Sequence, residues 1–207
     1  MSEADPVLAS DQALGFTIPG RHARGRMVRL AATLDTILAN HAYPPVLERL
    51  LGEALALTAL LGSLLKDPGG QLTLQAQTEN GIVDLLVCDY LGGALRGYVR
   101  HDPDRLAEAG PDPNLFALFG KGYLAITFDQ PASDERYQGI VPLEGNGLGE
   151  AAQSYFSQSE QIPSLVRLAA ARDGDGWVAG GLMLQHLPEG EEGRERLHTR
   201  LDPPEWP

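Results

Sequence analysis

One cysteine, five phenylalanines and two tryptophans are all that 207 residues contain of these types, and the scarcities narrow the possibilities. A lone thiol, Cys88, permits no disulfide within the chain and no cysteine-rich metal site. Positive charge is also short, with 16 lysines and arginines against 28 aspartates and glutamates, for a net charge of −12. A chain of that sign repels phosphate backbones and anionic lipids, so neither nucleic acid nor a membrane is expected as a partner. The opening residues place Glu3, Asp5 and Asp11 where a secretory leader carries positive charge and an apolar run, which points to the cytoplasm. His22, His41, His101, His186 and His198 are scattered without metal-ligand spacing, and no serine stands in a nucleophile elbow.

The stretch that is present in force is Pro44 to Lys66, PPVLERLLGEALALTALLGSLLK. Its prolines fit only the first turn of a helix, and Asp67-Pro68-Gly69-Gly70 stops it. From Leu50 onward the leucines surround the axis instead of forming one stripe. Such a helix is buried or membrane-inserted, and Glu53, Thr58 and Ser63 shorten the run below the roughly 20 apolar residues a membrane span needs. Burial is the expectation. Gly52, Ala56, Ala59 and Ser63 form a strip of small residues along which another backbone can come close.

Around this helix the pattern alternates. A short strand is expected near Leu14 to Ile18, followed by a strand carrying Arg24, Arg26 and Arg29. With Arg21 these arginines suit an anion or, more simply, a solvated edge strand. Leu34, Ile37, Leu38 and His41 space as a short helix. QLTLQAQ, IVDLLVC and ALRGYVRH, with turns at Asn80-Gly81 and Gly92-Gly93, form an antiparallel meander whose inner face should lie on the central helix. Asp112 and Pro113 are expected to open a short helix, GYLAITF and RYQGIVPL are further strands, and residues 149–161 are helical. SLVRLAAAR and WVAGGLMLQHL make a last hairpin in which Gly180-Gly181 marks a bulge or a close approach. From Pro188 the composition turns polar and resembles the start of a linker.

Few groups suggest chemistry. LEGNGLGEA places Gly145, Gly147 and Gly149 before a helix, but Glu150 stands where a dinucleotide fingerprint needs its next glycine. A nucleotide-binding or enzymatic domain using residues 145–150 stays open as an alternative, as does a purely structural dimerisation domain. Cys88, within a strand, reads as a small buried hydrophobe. The meander's outer face is not cleanly polar: Ile82 and Leu86 are expected to share the side of Asp84, with Tyr98 and Tyr123 opposite the core-facing Val99 and Leu124. Ile82, Leu86, Tyr98 and Tyr123 are therefore the candidate contact residues.

HAYPPVLERLLGEALALTALLGSLLK, KGYLAITF, ERYQGIVPLEG, SYFSQSEQIPSLVRL and AGGLMLQHLP, in that order, resemble the amino-terminal core of the heat shock protein 33 family of redox-regulated holdase chaperones. The resemblance runs from about Arg21 to Pro188. It implies an α+β fold of antiparallel sheets around a buried central helix, dimerisation, and ATP-independent binding of unfolding proteins, with no catalytic residue. It divides the chain into a core over 1–187 and the beginning of a linker over 188–207, and it makes the four contact candidates a client surface. The family's zinc is held by four cysteines in a carboxy-terminal domain, and Cys88 matches none of them. No cofactor is therefore expected in these residues, with zinc reserved for full-length members. The chain is either a piece ending in the linker or a member without the redox switch.

Overall fold

The computed structural model describes residues 11–186 except 66, 68, 79 and 132–134, so the linker expected over 188–207 and the core boundary at 187 lie outside the described residues. The central helix, α2 (Pro45–Gly62), begins with Pro44 as its cap and Pro45 in its first turn. Its leucines need apolar surroundings on two sides, and two antiparallel sheets supply them. One sheet has the order β1-β2-β9-β8, built from β1 (Gln12–Ile18), β2 (Ala23–Leu30), β8 (Ser164–Asp173) and β9 (Gly176–His186). The other has the order β5-β4-β3-β6-β7, from β3 (Gln71–Thr78), β4 (Val83–Leu91), β5 (Ala94–His101), β6 (Gly122–Gln130) and β7 (Glu135–Pro142). The fold is the α+β arrangement of sheets around a buried helix.

Glycine lets the layers approach. A Cβ on Gly52 would stand 2.9 Å from Ala170 Cβ of β8, and one on Gly181 of β9 would stand 2.6 Å from Leu60 Cδ1. Part of the small-residue strip is therefore used as expected, and Gly180-Gly181 marks a close approach with unbroken register to β2 and β8. Leu72, Leu74, Ala76, Leu86, Cys88 and Val99 face the helix from the five-stranded side, and Leu124, Ile126 and Phe128 of β6 extend the same buried layer. Burying each large side chain contributes roughly 1.5–3 kcal/mol, so this double-sided core is the main source of stability.

The other helices are short: α1 (Ala32–Leu38), α3 (Pro103–Glu108), α4 (Leu115–Phe119) and α5 (Leu148–Tyr155). Asp11 Oδ1 accepts from the Ala31 and Thr33 amides and fastens the start of α1. Helix α3 was not expected, although Asp102-Pro103 is a capping signature: Asp102 Oδ1 accepts from the Asp104 and Arg105 amides. For α4 the cap is Asn114, whose side chain accepts from Ala117 N at 2.8 Å, and not Asp112, which instead forms an ion pair with Arg49. Asn80-Gly81 does lie in a hairpin connection, but one longer than a two-residue turn, with Thr78 Oγ1 accepting from Gly81 N. Gly92 and Gly93, both at positive φ, make the tight turn between β4 and β5.

The arginine-bearing strand is not an edge. β2 pairs with β1 on one side and β9 on the other, because the amino-terminal strand adds itself to the sheet. Arg24 and Arg26 share the helix side with buried Val28, and Arg29 faces out. The true edges are β1 and β8 in this sheet and β5 and β7 in the other, where Pro142 ends β7 as an edge position allows.

Candidate functional site

Each sheet turns one face to α2 and the other away from it. On the five-stranded sheet the outward rows are Arg96–Asp89–Thr73–Thr127–Gln138, Tyr98–Val87–Gln75–Ala125–Ile140 and Arg100–Leu85–Gln77–Tyr123–Pro142. Tyr98 and Tyr123 stand there as expected, 43% and 40% exposed. Polar bonding surrounds them. Arg96 Nε donates to Asp89 Oδ2 at 2.7 Å, Arg100 Nε to Asp84 at 2.9 Å, Gln138 Nε2 to Thr127 Oγ1 at 2.8 Å and Tyr123 Oη to Gln77 Oε1 at 3.2 Å.

Ile82 and Leu86 are not on this face. Both are buried in the core, and Leu86 pairs with inward-facing Ala76 and Val99. The register of β4 against β5 shifts between Val83 and Leu85, and that irregularity breaks the alternation from which their outward direction was inferred. Downstream of it, Leu85 and Val87 face out, while Leu86 and Cys88 face in.

The four-stranded sheet has the more apolar outer face, and it was not singled out from sequence. Leu14, Met27 and Leu182 lie side by side on β1, β2 and β9. The next row is Phe16, Gly25, Leu184 and Leu165, crossing all four strands. A Cβ on Gly25 would lie 2.2 Å from Phe16 Cζ and 2.8 Å from Leu184 Cδ2, so the Phe16 and Leu184 side chains meet over the glycine. Ile18 continues the patch at one end, and the row of Gln12, Arg29, Gly180 and Ala169 bounds it at the other. Leu14 is 50% and Met27 39% exposed, although both belong to a continuous apolar surface. The helices contacting these strands lie on the opposite side, against Val28, Val166, Ala170, Ala179 and Met183. Alternation in LGFTI and GLMLQ was the available clue. Each strand alone offers only one to three such residues, and the face emerges only when β1, β2 and β9 are in register.

The other constellations lack reactive geometry. Cys88 is fully buried, and burial pushes its thiol pKa far up, which suppresses the thiolate. Among the described residues no group of three or more His, Cys, Asp or Glu could hold a metal ion. One buried thiol does not fit a four-cysteine zinc site, so these residues cannot form that set. At the glycine turn, Glu150 Oε2 accepts from Asn146 N at 2.9 Å, placing a carboxylate at the start of α5 where a pyrophosphate would have to sit. No helix among the described residues is long and apolar enough to cross a membrane.

Comparison with known proteins gives a consistent result. The family model described as Hsp33 protein matches residues 11–203. The 33 kDa chaperonin of Caulobacter vibrioides (strain NA1000 / CB15N) is 43% identical over 189 residues, covering 87% of this chain and 62% of that protein. The 33 kDa chaperonin of Yersinia pestis (strain Pestoides F) is 37% identical over 187 residues, covering 90% of this chain and 62% of that protein. The chain thus spans about three-fifths of the length of these curated relatives. The crystal structure of the 33 kDa chaperonin (heat shock protein 33 homolog) from Thermotoga maritima superimposes with a TM-score of 0.72 at 25% identity, covering 94% of this chain and 67% of that one.

Proposed function

The chain belongs to the Hsp33 family, and from that premise we propose that it is the client-binding core of an ATP-independent holdase. In this reading an unfolding polypeptide offers apolar side chains, and laying them on an apolar sheet face releases roughly 25 cal/mol for each Å² removed from water. The observation that carries the reading is the continuous outer surface of Leu14, Phe16, Ile18, Met27, Leu165, Leu182 and Leu184. Tyr98 and Tyr123 on the other sheet form a secondary contact, because a client covering them must also cover the surrounding ion pairs and amide bonds. The excess of acidic residues keeps client complexes dispersed by mutual repulsion. The mechanism calls for no catalytic group, and the protein acts in the cytoplasm as a homodimer.

The test is light scattering from a heat-unfolding client enzyme with increasing amounts of the chain and no nucleotide. Suppression that saturates near stoichiometric amounts supports the reading. Scattering unchanged at a severalfold excess of the chain refutes it.

A further inference from the structure

The four sheet edges are not alike. On β5 the Tyr43 hydroxyl donates to the Val99 carbonyl oxygen and accepts from the Val99 amide, both at 2.9 Å, so one side chain makes the bonds a neighbouring strand would make. On β8, Gln153 Oε1 of α5 accepts from the Val166 amide at 2.9 Å, and Arg167 Nη1 donates to the Val166 carbonyl oxygen at 2.9 Å. β7 presents the charge of Arg136 and ends in Pro142, which has no N–H to offer. β1 has none of these devices. Its sequence QALGFTI contains no charge and no proline, and its seven residues run in unbroken register with β2. Among the described residues it hydrogen-bonds only to β2.

The ladder identifies which groups of β1 are left over. The Val166 backbone is spent on side chains, so its partner Met183 bonds to β2 instead, at Arg26. Arg26 therefore faces β9, and its partner on β1, Gly15, receives no bond from it. Because the pattern alternates, Leu14, Phe16 and Ile18 bond to β2, while the amides and carbonyls of Ala13, Gly15 and Thr17 point away from the sheet. Side chains alternate as well: Leu14, Phe16 and Ile18 belong to the apolar outer face, and Ala13, Gly15 and Thr17 put small or polar groups on the other side.

We propose that the free edge of β1 pairs with an extended segment of the client, which joins the four-stranded sheet as a further strand and widens its apolar face. The inference rests on the client reading and adds to it a contact directed by backbone. The edge suits a segment with apolar residues at every second position, which is the pattern of a half-buried strand in a globular protein, set free when that protein unfolds. Main-chain bonds read no sequence, so clients of unlike sequence are served by the same edge. Charge favours a client over a second copy of this chain: the edge is neutral, whereas a second copy brings its own net charge of −12 to it.

The experiment is amide hydrogen exchange of the full chain, followed residue by residue by nuclear magnetic resonance, alone and with a permanently unfolded client, reduced carboxymethylated lactalbumin. With client, the amides of Ala13, Gly15 and Thr17 should exchange about tenfold more slowly, while those of Leu14 and Phe16, already bonded to β2, change less. Ala13→Pro combined with Thr17→Pro removes two outward N–H groups and leaves the bonds to β2 in place. It should raise the amount of chain needed to suppress client scattering severalfold, with far-ultraviolet circular dichroism unchanged. Should the double variant fail to fold, exchange in the original chain decides. Suppressed scattering without slowed exchange at the three amides overturns the edge proposal and leaves the client reading standing, as does undiminished suppression by the folded proline variant. No suppression by the original chain removes both. Slowed exchange in the chain alone that grows with its own concentration assigns the edge to a second copy and overturns the proposal.

Discussion

The two sheets clasp one helix and are nearly interchangeable where they touch it, yet their outer faces differ in kind. On the inside, both present closely packed leucine, valine and alanine side chains, with glycines at Gly97 and Gly181 admitting leucines of α2. On the outside, single residues of the two sheets are exposed to similar degrees, with Tyr98 and Ile140 on one matched by Leu14 and Ile18 on the other. What differs is the neighbourhood. Tyr98 and Tyr123 stand among arginine–aspartate pairs and side-chain amide bonds, whereas Leu14, Met27 and Leu182 stand next to one another. Covering an apolar patch gains the full transfer free energy, while covering a hydrogen-bonded polar network costs desolvation that the client must replace. Exposure of individual residues is thus a poor guide to a contact surface, and continuity across strands is a better one.

The largest effect should come from testing the equivalence of the inner faces. Leu86→Ala is expected to destabilise the fold by about 3 kcal/mol, seen as a lower urea midpoint, because Leu86 is fully buried against the helix. A change below about 0.5 kcal/mol would return Leu86 to the outer face and undo the comparison. Next in size, Leu14→Glu combined with Met27→Glu should leave the urea midpoint nearly unchanged. It should raise the amount of chain needed to hold a client about tenfold, equivalent to about 1.4 kcal/mol. Tyr98→Glu with Tyr123→Glu, measured in the same aggregation assay, should cost less than about twofold, which is under about 0.4 kcal/mol. Equal losses from the two pairs would erase the distinction between the faces. The smallest effect belongs to redox conditions. Burial of Cys88 suppresses its thiolate, so dithiothreitol or mild peroxide should leave client holding by these 207 residues unchanged within error, and a twofold response would contradict that.

Much of the architecture was legible along the chain because its causes are local. The all-round leucines of α2, the alternation of QLTLQAQ and the Gly92-Gly93 turn each fix one element without reference to distant residues. Errors appeared where a distant partner or a local irregularity decides. Arg24 and Arg26 looked like an exposed edge because nothing within β2 reveals that β1 pairs beside it. Strict alternation points Ile82 and Leu86 outward because it has no place for the shift between Val83 and Leu85. The apolar face of the four-stranded sheet escaped notice for the first of these reasons. Its rows join residues more than 150 positions apart, such as Met27 and Leu182, and no window along the chain contains both.

The most direct test of the central claim is site-specific photo-crosslinking, with a photoreactive phenylalanine analogue placed at position 27 on one sheet and at position 123 on the other, irradiated in the presence of a heat-unfolding client. The account predicts abundant client adducts from position 27 and few from position 123. Adducts predominantly from position 123 would contradict it and move the client to the five-stranded sheet.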